Sequence, residues 1–234
     1  MIKAILFDLD GTLLPMDQEV FVKDYVGRMT AFLAPYGYDP QLYFKGLWAG
    51  TGAMVKNDGK ALNEDMFWYV FNTILGKDAK EDMALFEEFY RTEFQKARDS
   101  CGFQPMAAEA VREIKAMGCR VILATNPLFP AIATHSRVTW AGLNPEDFEL
   151  ITTYENSRFC KPNPDYYREI LEKLSLDGPE CLMVGNDVGE DMVAKTTGMK
   201  TFLLTDCLIN KTGEDISQYP NGSFPELLRY IRSL

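Results

Sequence analysis

Ile2-Lys3-Ala4-Ile5-Leu6-Phe7-Asp8-Leu9-Asp10-Gly11-Thr12-Leu13-Leu14 is the stretch on which the fold turns. Ile2, Ala4, Ile5, Leu6 and Phe7 make a short apolar run, of the kind that forms a strand buried on both faces of a parallel sheet. The run stops at two acids, Asp8 and Asp10, and a glycine. Forming a strand calls for neither acid. Open parallel sheets bind ligands outside the carboxyl ends of their strands, so acids at that edge are candidates for chemistry. Asp10-Gly11 is equally an ordinary turn dipeptide, and the stretch alone leaves both readings open.

The 234 residues suffice for one large domain or two small ones with a sizeable core. Hydrophobic residues make up 47% and charged residues 25%, the balance of a soluble globular protein. A formal net charge of −10 argues against nucleic acid or an anionic membrane surface as partner, since both need a basic footprint. An anionic substrate would then need a local cation, either a metal ion or a placed lysine. No apolar run approaches the length of a membrane span, and the first residues do not resemble a signal peptide. The five cysteines (Cys101, Cys119, Cys160, Cys181, Cys207) are scattered and form no Cys-x-x-Cys pair, so they read as reduced thiols of a cytoplasmic protein. The single histidine, His135, rules out a multi-histidine metal site and leaves acid–base chemistry to carboxylates or lysine.

After Leu14 the pattern becomes helical and stays so to about Lys96. Val20, Phe21, Tyr25, Val26, Met29, Phe32 and Leu33 recur at helical spacing, as do Met66, Phe67, Val70, Phe71, Ile74 and Leu75, and then Met83, Leu85, Phe86, Phe89, Tyr90 and Phe94. Trp48 to Gly59 reads as part helix and part glycine-rich turn. From Pro105 helices and strands alternate. Strands are expected at Cys119–Ala124, Phe148–Thr152, Cys181–Val184 and Lys200–Leu204. Helices are expected at 108–117, 130–141, 165–174, 187–197 and 225–231. Such alternation implies a parallel sheet to which the first strand belongs, with the helical block inserted into it. The expected division is a core of residues 1–15 and 100–234 and a helical unit of residues 16–99.

Four strands or loops deliver polar groups to one sheet edge: Asp8 and Asp10; Thr125 and Asn126; Lys161; and Asn186, Asp187 and Asp191. Each alone has a plain structural reading. Thr125-Asn126-Pro127 could be a turn, Lys161 a surface lysine and Asp187 a helix N-cap. All of them together at one edge is a stronger signal than any member.

In this pattern the chain resembles the haloacid dehalogenase-like hydrolase superfamily. The matching residues are Asp8-Leu9-Asp10-Gly11-Thr12 for its first motif, Thr125 for the second, Lys161 before Pro162 for the third, and Gly185-Asn186-Asp187 through Asp191 for the fourth. The resemblance implies a Rossmann-like α/β core with an all-helical cap inserted after the first motif. It implies a magnesium-dependent phosphatase acting on a small phosphorylated metabolite. Asp8 would be the nucleophile that forms an aspartyl-phosphate, and Asp10 the proton donor and later base. Thr12, Thr125, Asn126 and Lys161 would bind the phosphoryl group. Magnesium would be held by the Asp8 side chain, the Asp10 backbone carbonyl and the fourth motif. Many members have Gly-Asp where this chain has Gly185-Asn186-Asp187, so Asn186 and Asp187 both stand as ligand candidates, with Asp191 expected to orient Lys161 or a metal-bound water. Four acids and a phosphate dianion cannot be offset by Lys161 alone, which independently calls for a divalent ion.

Other reactions share this core. A sugar phosphomutase has the same motifs. A phosphonatase would use a cap lysine as a Schiff base, with Lys23, Lys45, Lys56 and Lys60 as candidates. A phospho-acceptor signalling domain or an inactive binding protein is the non-enzymatic alternative. Dehalogenases fit poorly because they lack an acid at the Asp10 position. Substrate choice is expected in the cap at Trp48 to Lys60, where Trp48 would stack and Lys56 and Asn57 would hydrogen-bond the leaving group.

Overall fold

The computed structural model describes residues 2–234. Its first strand, β1 (Ala4–Phe7), is buried at every position. It pairs in parallel with β2 (Arg120–Leu123) on one side and β4 (Cys181–Gly185) on the other. With β3 (Leu150–Ile151), β5 (Lys200–Leu204) and β6 (Asn221–Gly222) they form one six-stranded sheet in the order β3-β2-β1-β4-β5-β6. Every pairing is parallel, so all strand carboxyl ends share one edge.

The two-residue period of a strand sorts the core into two layers. Ile5, Phe7, Val121, Leu123, Leu182 and Val184 face one layer, and Ala4, Leu6, Ile122, Ala124, Cys181 and Met183 the other. Helices α5 (Pro105–Ala116), α6 (Ala131–Trp140) and α8 (Phe224–Arg232) cover the first face. Helix α7 (Pro164–Leu174) and a 3₁₀ segment (Met192–Thr197) cover the second. The expected strands and helices form except that 187–197 yields only the 3₁₀ segment Met192–Thr197, and a sixth strand, β6, is added. Strand β6 is too short and too polar to show periodicity. Residues 187–191 are turns rather than the start of a helix, because the carboxylates of Asp187 and Asp191 take the backbone N–H groups of 187, 189 and 190.

Between β1 and α5 the chain is helical: α1 (Gln18–Leu33), α2 (Pro40–Val55), α3 (Asn63–Leu75), α4 (Met83–Arg91) and a 3₁₀ stretch (Glu93–Ser100). Asp17 and Asp39 cap α1 and α2 by accepting from the second and third backbone N–H groups. Helix α2 runs through Gly50 and Gly52 instead of turning there. A Cβ on Gly50 would lie 2.7 Å from the Phe67 ring, and one on Gly46 2.8 Å from Leu75. These glycines therefore serve the close approach of α2 to α3 and not a ligand. The apolar layer of the first sheet face continues into this insertion through Phe21, Phe94, Phe129 and Trp140.

Candidate active site

Asp8 follows β1 directly, and its backbone N–H still donates to Val184 O at 2.9 Å, so strand geometry carries its side chain to the sheet edge. The chain then turns tightly: Thr12 N and Leu14 N both donate to Leu9 O, and Gly11 sits at φ +85°. A Cβ at Gly11 would fall 2.3 Å from Asn186 Nδ2. Only glycine lets the first and fourth segments close on each other here.

Lys161, 153 residues away in sequence, is buried against Asp8. Its ammonium donates to Asp8 Oδ1 at 2.8 Å and to Asp191 Oδ1 at 2.6 Å. Asp191 Oδ2 accepts from Asp187 N at 3.0 Å, so both of its oxygens act as acceptors, the pattern of a carboxylate. Burial alone would lower the Lys161 pKa, but Asp191 and Asp8 more than offset it and hold it well above its ordinary value. Burial pushes Asp191 upward against the pull of that ammonium.

The other oxygen of Asp8, Oδ2, has only a long contact from Thr12 Oγ1, at 3.4 Å. Thr12 also donates to Asn186 Oδ1 at 3.0 Å. Asn186 is fixed from behind, its Nδ2 donating to Cys207 O at 2.6 Å, which aims its carbonyl oxygen toward Thr12 and Asp8. Asp187 instead turns Oδ1 onto the backbone N–H groups of Gly189 (2.7 Å) and Glu190 (3.0 Å). Between the two candidates for the fourth-segment ligand, the amide faces the site and the acid caps a turn.

Thr125 is buried one residue past the point where Ala124 N donates to Phe7 O, level with Asp8. Its carbonyl is held by Thr152 Oγ1 (2.6 Å) and Tyr166 Oη (2.9 Å), which fixes the turn. Asn126 donates through Nδ2 to Glu190 Oε2 at 3.1 Å, and its own Oδ1 is buried without a partner. Sequence patterning did not reveal Glu190, whose carboxyl burial raises above its ordinary pKa.

Asp10 lies on the other side of the turn. Its side chain is 19% exposed and forms an ion pair through Oδ2 with Arg137 of α6, which is fully buried. Asp10 Oδ1 has no partner. Burial raises the Asp10 pKa; Arg137 lowers it, the Asp8 charge raises it and Lys161 lowers it, with a net rise. Arg137 was also invisible in the sequence. The one available signal was a charged residue in register with Ala133, Thr134, Val138 and Trp140 on the buried face of α6.

The insertion contributes differently from expectation. Trp48 is 45% exposed on the outer face of α2, against Phe44. Lys56 is exposed at the end of that helix. Asn57 is buried and already satisfied: it donates to Ala61 O and Asn63 Oδ1 at 2.9 Å each and accepts from Gly59 N. The structure therefore does not bring these three to the strand ends as free ligand groups. Helical geometry explains the error, since Tyr43, Leu47 and Met54 take the buried face of α2 and leave positions 44, 48 and 55 outside. Asn63, held in place by Asn57, instead fastens the insertion to the core. Asn63 N donates to Ser157 O and Glu64 N to Tyr154 O, and the Asn63 amide reaches Phe159 O and Cys160 Sγ next to Lys161. Lys23, Lys45, Lys56 and Lys60 are all exposed, unlike the buried amine a Schiff-base lysine requires.

A cavity of about 840 Å³ lies between the insertion and α6. Its walls include Tyr25, Tyr43, Trp68 and Tyr90 from the insertion and Leu128 and Tyr154 from the loops after β2 and β3. Trp68 Nε1 is buried with no partner. Arg91 on the cavity wall is paired with Glu87, so it is not a free cation. Among the described residues, no three histidine, cysteine or acidic side chains converge as a metal cluster, and no helix is long and apolar enough to cross a membrane.

Residues 2–194 match the family model for haloacid dehalogenase-like hydrolases. The chain is 26% identical over 233 residues to a phosphoglycolate phosphatase of Colwellia psychrerythraea, covering 99% of this chain and 96% of that protein. It is 25% identical over 237 residues to a glyceraldehyde 3-phosphate phosphatase of Methanocaldococcus jannaschii, covering 100% and 99%. The crystal structure of a HAD phosphatase from Thermococcus onnurineus superposes with a TM-score of 0.59 at 18% identity, covering 98% of each chain, a likeness of fold.

Proposed function

The chain belongs to the haloacid dehalogenase-like hydrolases and is an enzyme of the phosphatase kind; on that premise we propose that it hydrolyses a small phosphate monoester through an aspartyl-phosphate on Asp8. The observation that carries the proposal is the state of the Asp8 carboxylate. One oxygen is held by a buried ammonium that is itself anchored by Asp191, while the other is nearly free. Lys161 thus orients the nucleophile and brings positive charge to a phosphoryl oxygen. Asp8 Oδ2 attacks phosphorus, Thr125 donates to a phosphoryl oxygen, and Asp10 gives its proton to the departing alkoxide and then takes one from the attacking water.

The donor set fits magnesium. One carboxylate oxygen, the Asn186 amide oxygen and the Asp10 backbone carbonyl are hard oxygen ligands, few enough to leave room for waters and a phosphate oxygen. The wall formed by Gly11 against Asn186 keeps that corner free of carbon. When bound, the ion supplies the positive charge that lets a phosphate enter beside Asp8 and that offsets charge in the transition state. Asp187 remains a cap and Asp191 an anchor for Lys161.

Residues 16–99 act as the cap in this reading, and leaving-group contacts fall to the cavity walls at Tyr25, Tyr43, Trp68 and Tyr90 in place of Trp48, Lys56 and Asn57. Phosphate release from p-nitrophenyl phosphate is the first test. Turnover should vanish in EDTA and return with magnesium. Undiminished turnover after chelation, with metal content shown to be negligible, would contradict the proposal.

A further inference from the structure

Arg137 is a fully buried cation whose only charged partner among the described residues is Asp10. Its guanidinium lies 4.2 Å from the Phe129 ring centroid and 5.9 Å from that of Phe21, and Nη2 has a long contact to Thr134 Oγ1 at 3.4 Å. Its Nε has no partner. A buried pair with unpaired polar atoms on both sides adds little to stability, because desolvation offsets most of the attraction. The same arrangement does determine where Asp10 points. Arg137 occupies Oδ2, so Oδ1 is the oxygen left over, buried and without a partner.

We propose that Arg137 is a positioning residue for proton transfer: by clamping Asp10 Oδ2 from the shelf of Phe129, it presents Oδ1 to the leaving-group oxygen. The inference rests on the phosphatase reading above. In the step concerned, the Asp8 O–P bond forms as the ester P–O bond breaks. The proton on Asp10 Oδ1 passes to the departing alkoxide, which leaves as the neutral alcohol. Without the clamp Asp10 can rotate away, and departure without a proton is tolerable only for a weakly basic leaving group.

The test is therefore a ratio. kcat/KM would be measured for p-nitrophenyl phosphate, whose phenolate departs unprotonated, and for the fastest substrate in a small panel of alkyl phosphates. In Arg137→Gln the alkyl substrate should lose about tenfold more than the aryl one, part of the roughly 10²–10⁴ that a placed proton donor contributes. Arg137→Lys, which keeps charge without the fork, should recover part of the ratio. Should Arg137→Gln fail to fold, Phe129→Leu keeps both charges, removes the shelf together with its packing on Phe21 and Tyr25, and should move the ratio the same way by less. Equal losses for both substrates in the variants that fold would make Arg137 merely structural and overturn the inference. Failure of the wild-type protein on both substrates would instead overturn the phosphatase reading along with it.

Discussion

Asp8 lies buried at the end of β1 under an ammonium, whereas Trp48 stands half exposed on the outside of α2. Both catch the eye in the sequence, one as an acid ending an apolar run and the other as an aromatic among glycines. They end up so differently because the two regions hold their side chains by different rules. In a parallel sheet, a residue just past a strand end is at the common edge whatever else packs nearby. In the insertion, which face of a helix turns inward depends on partners far along the chain. Here the choice is set by Gly46 and Gly50, which bring α2 onto α3.

Lys161→Met is the most severe change expected to sharpen this contrast. It leaves Asp8 and Asp191 as buried carboxylates facing each other without a cation. The loss should be about 3–5 kcal/mol of stability, read from urea unfolding, together with loss of turnover. Asn63→Ala probes the fastening of the insertion to the core. It strips Asn57 of an acceptor and should cost about 1–3 kcal/mol. Asn57→Ala should likewise lower stability without reordering substrates.

Asp8, Asp10 and Thr125 were legible because they follow β1 and β2 closely, whereas Lys161 and Asp191 come from loops and meet Asp8 through the buried ammonium. The choice between Asn186 and Asp187 was not legible, since it depends on the Cys207 carbonyl, which comes from a different loop. Arg137 and Glu190 were missed for a similar reason. Each sits on or beside a helix and meets the site only through tertiary packing. The parallel sheet follows from the alternation of strands and helices, but its order, with β1 between β2 and β4, does not, and β6 at two residues carries no pattern.

The smallest effects concern Trp48 and Trp68. Trp68→Phe keeps one aromatic ring and removes the pyrrole ring with its unpaired Nε1–H beside the cavity. It should raise KM for a preferred substrate roughly fivefold, as expected for one lost hydrogen bond of about 1 kcal/mol. The KM for p-nitrophenyl phosphate should hardly change. Trp48→Ala should change neither KM, and stability by less than about 0.5 kcal/mol. A large effect at Trp48 with none at Trp68 would reverse the assignment of the insertion's inner wall.

The central claim is that Asp8 carries the phosphoryl group, and borohydride trapping during turnover tests it most directly. An aspartyl-phosphate is an acyl phosphate, which borohydride reduces to homoserine. Enzyme quenched with borohydride during steady-state hydrolysis should carry homoserine at position 8, located by peptide mass spectrometry. Asp8→Asn, which keeps an oxygen for Lys161 but no nucleophile, should show neither trapping nor turnover. Steady hydrolysis with no reduced residue, or with reduction at another carboxylate, would contradict the account.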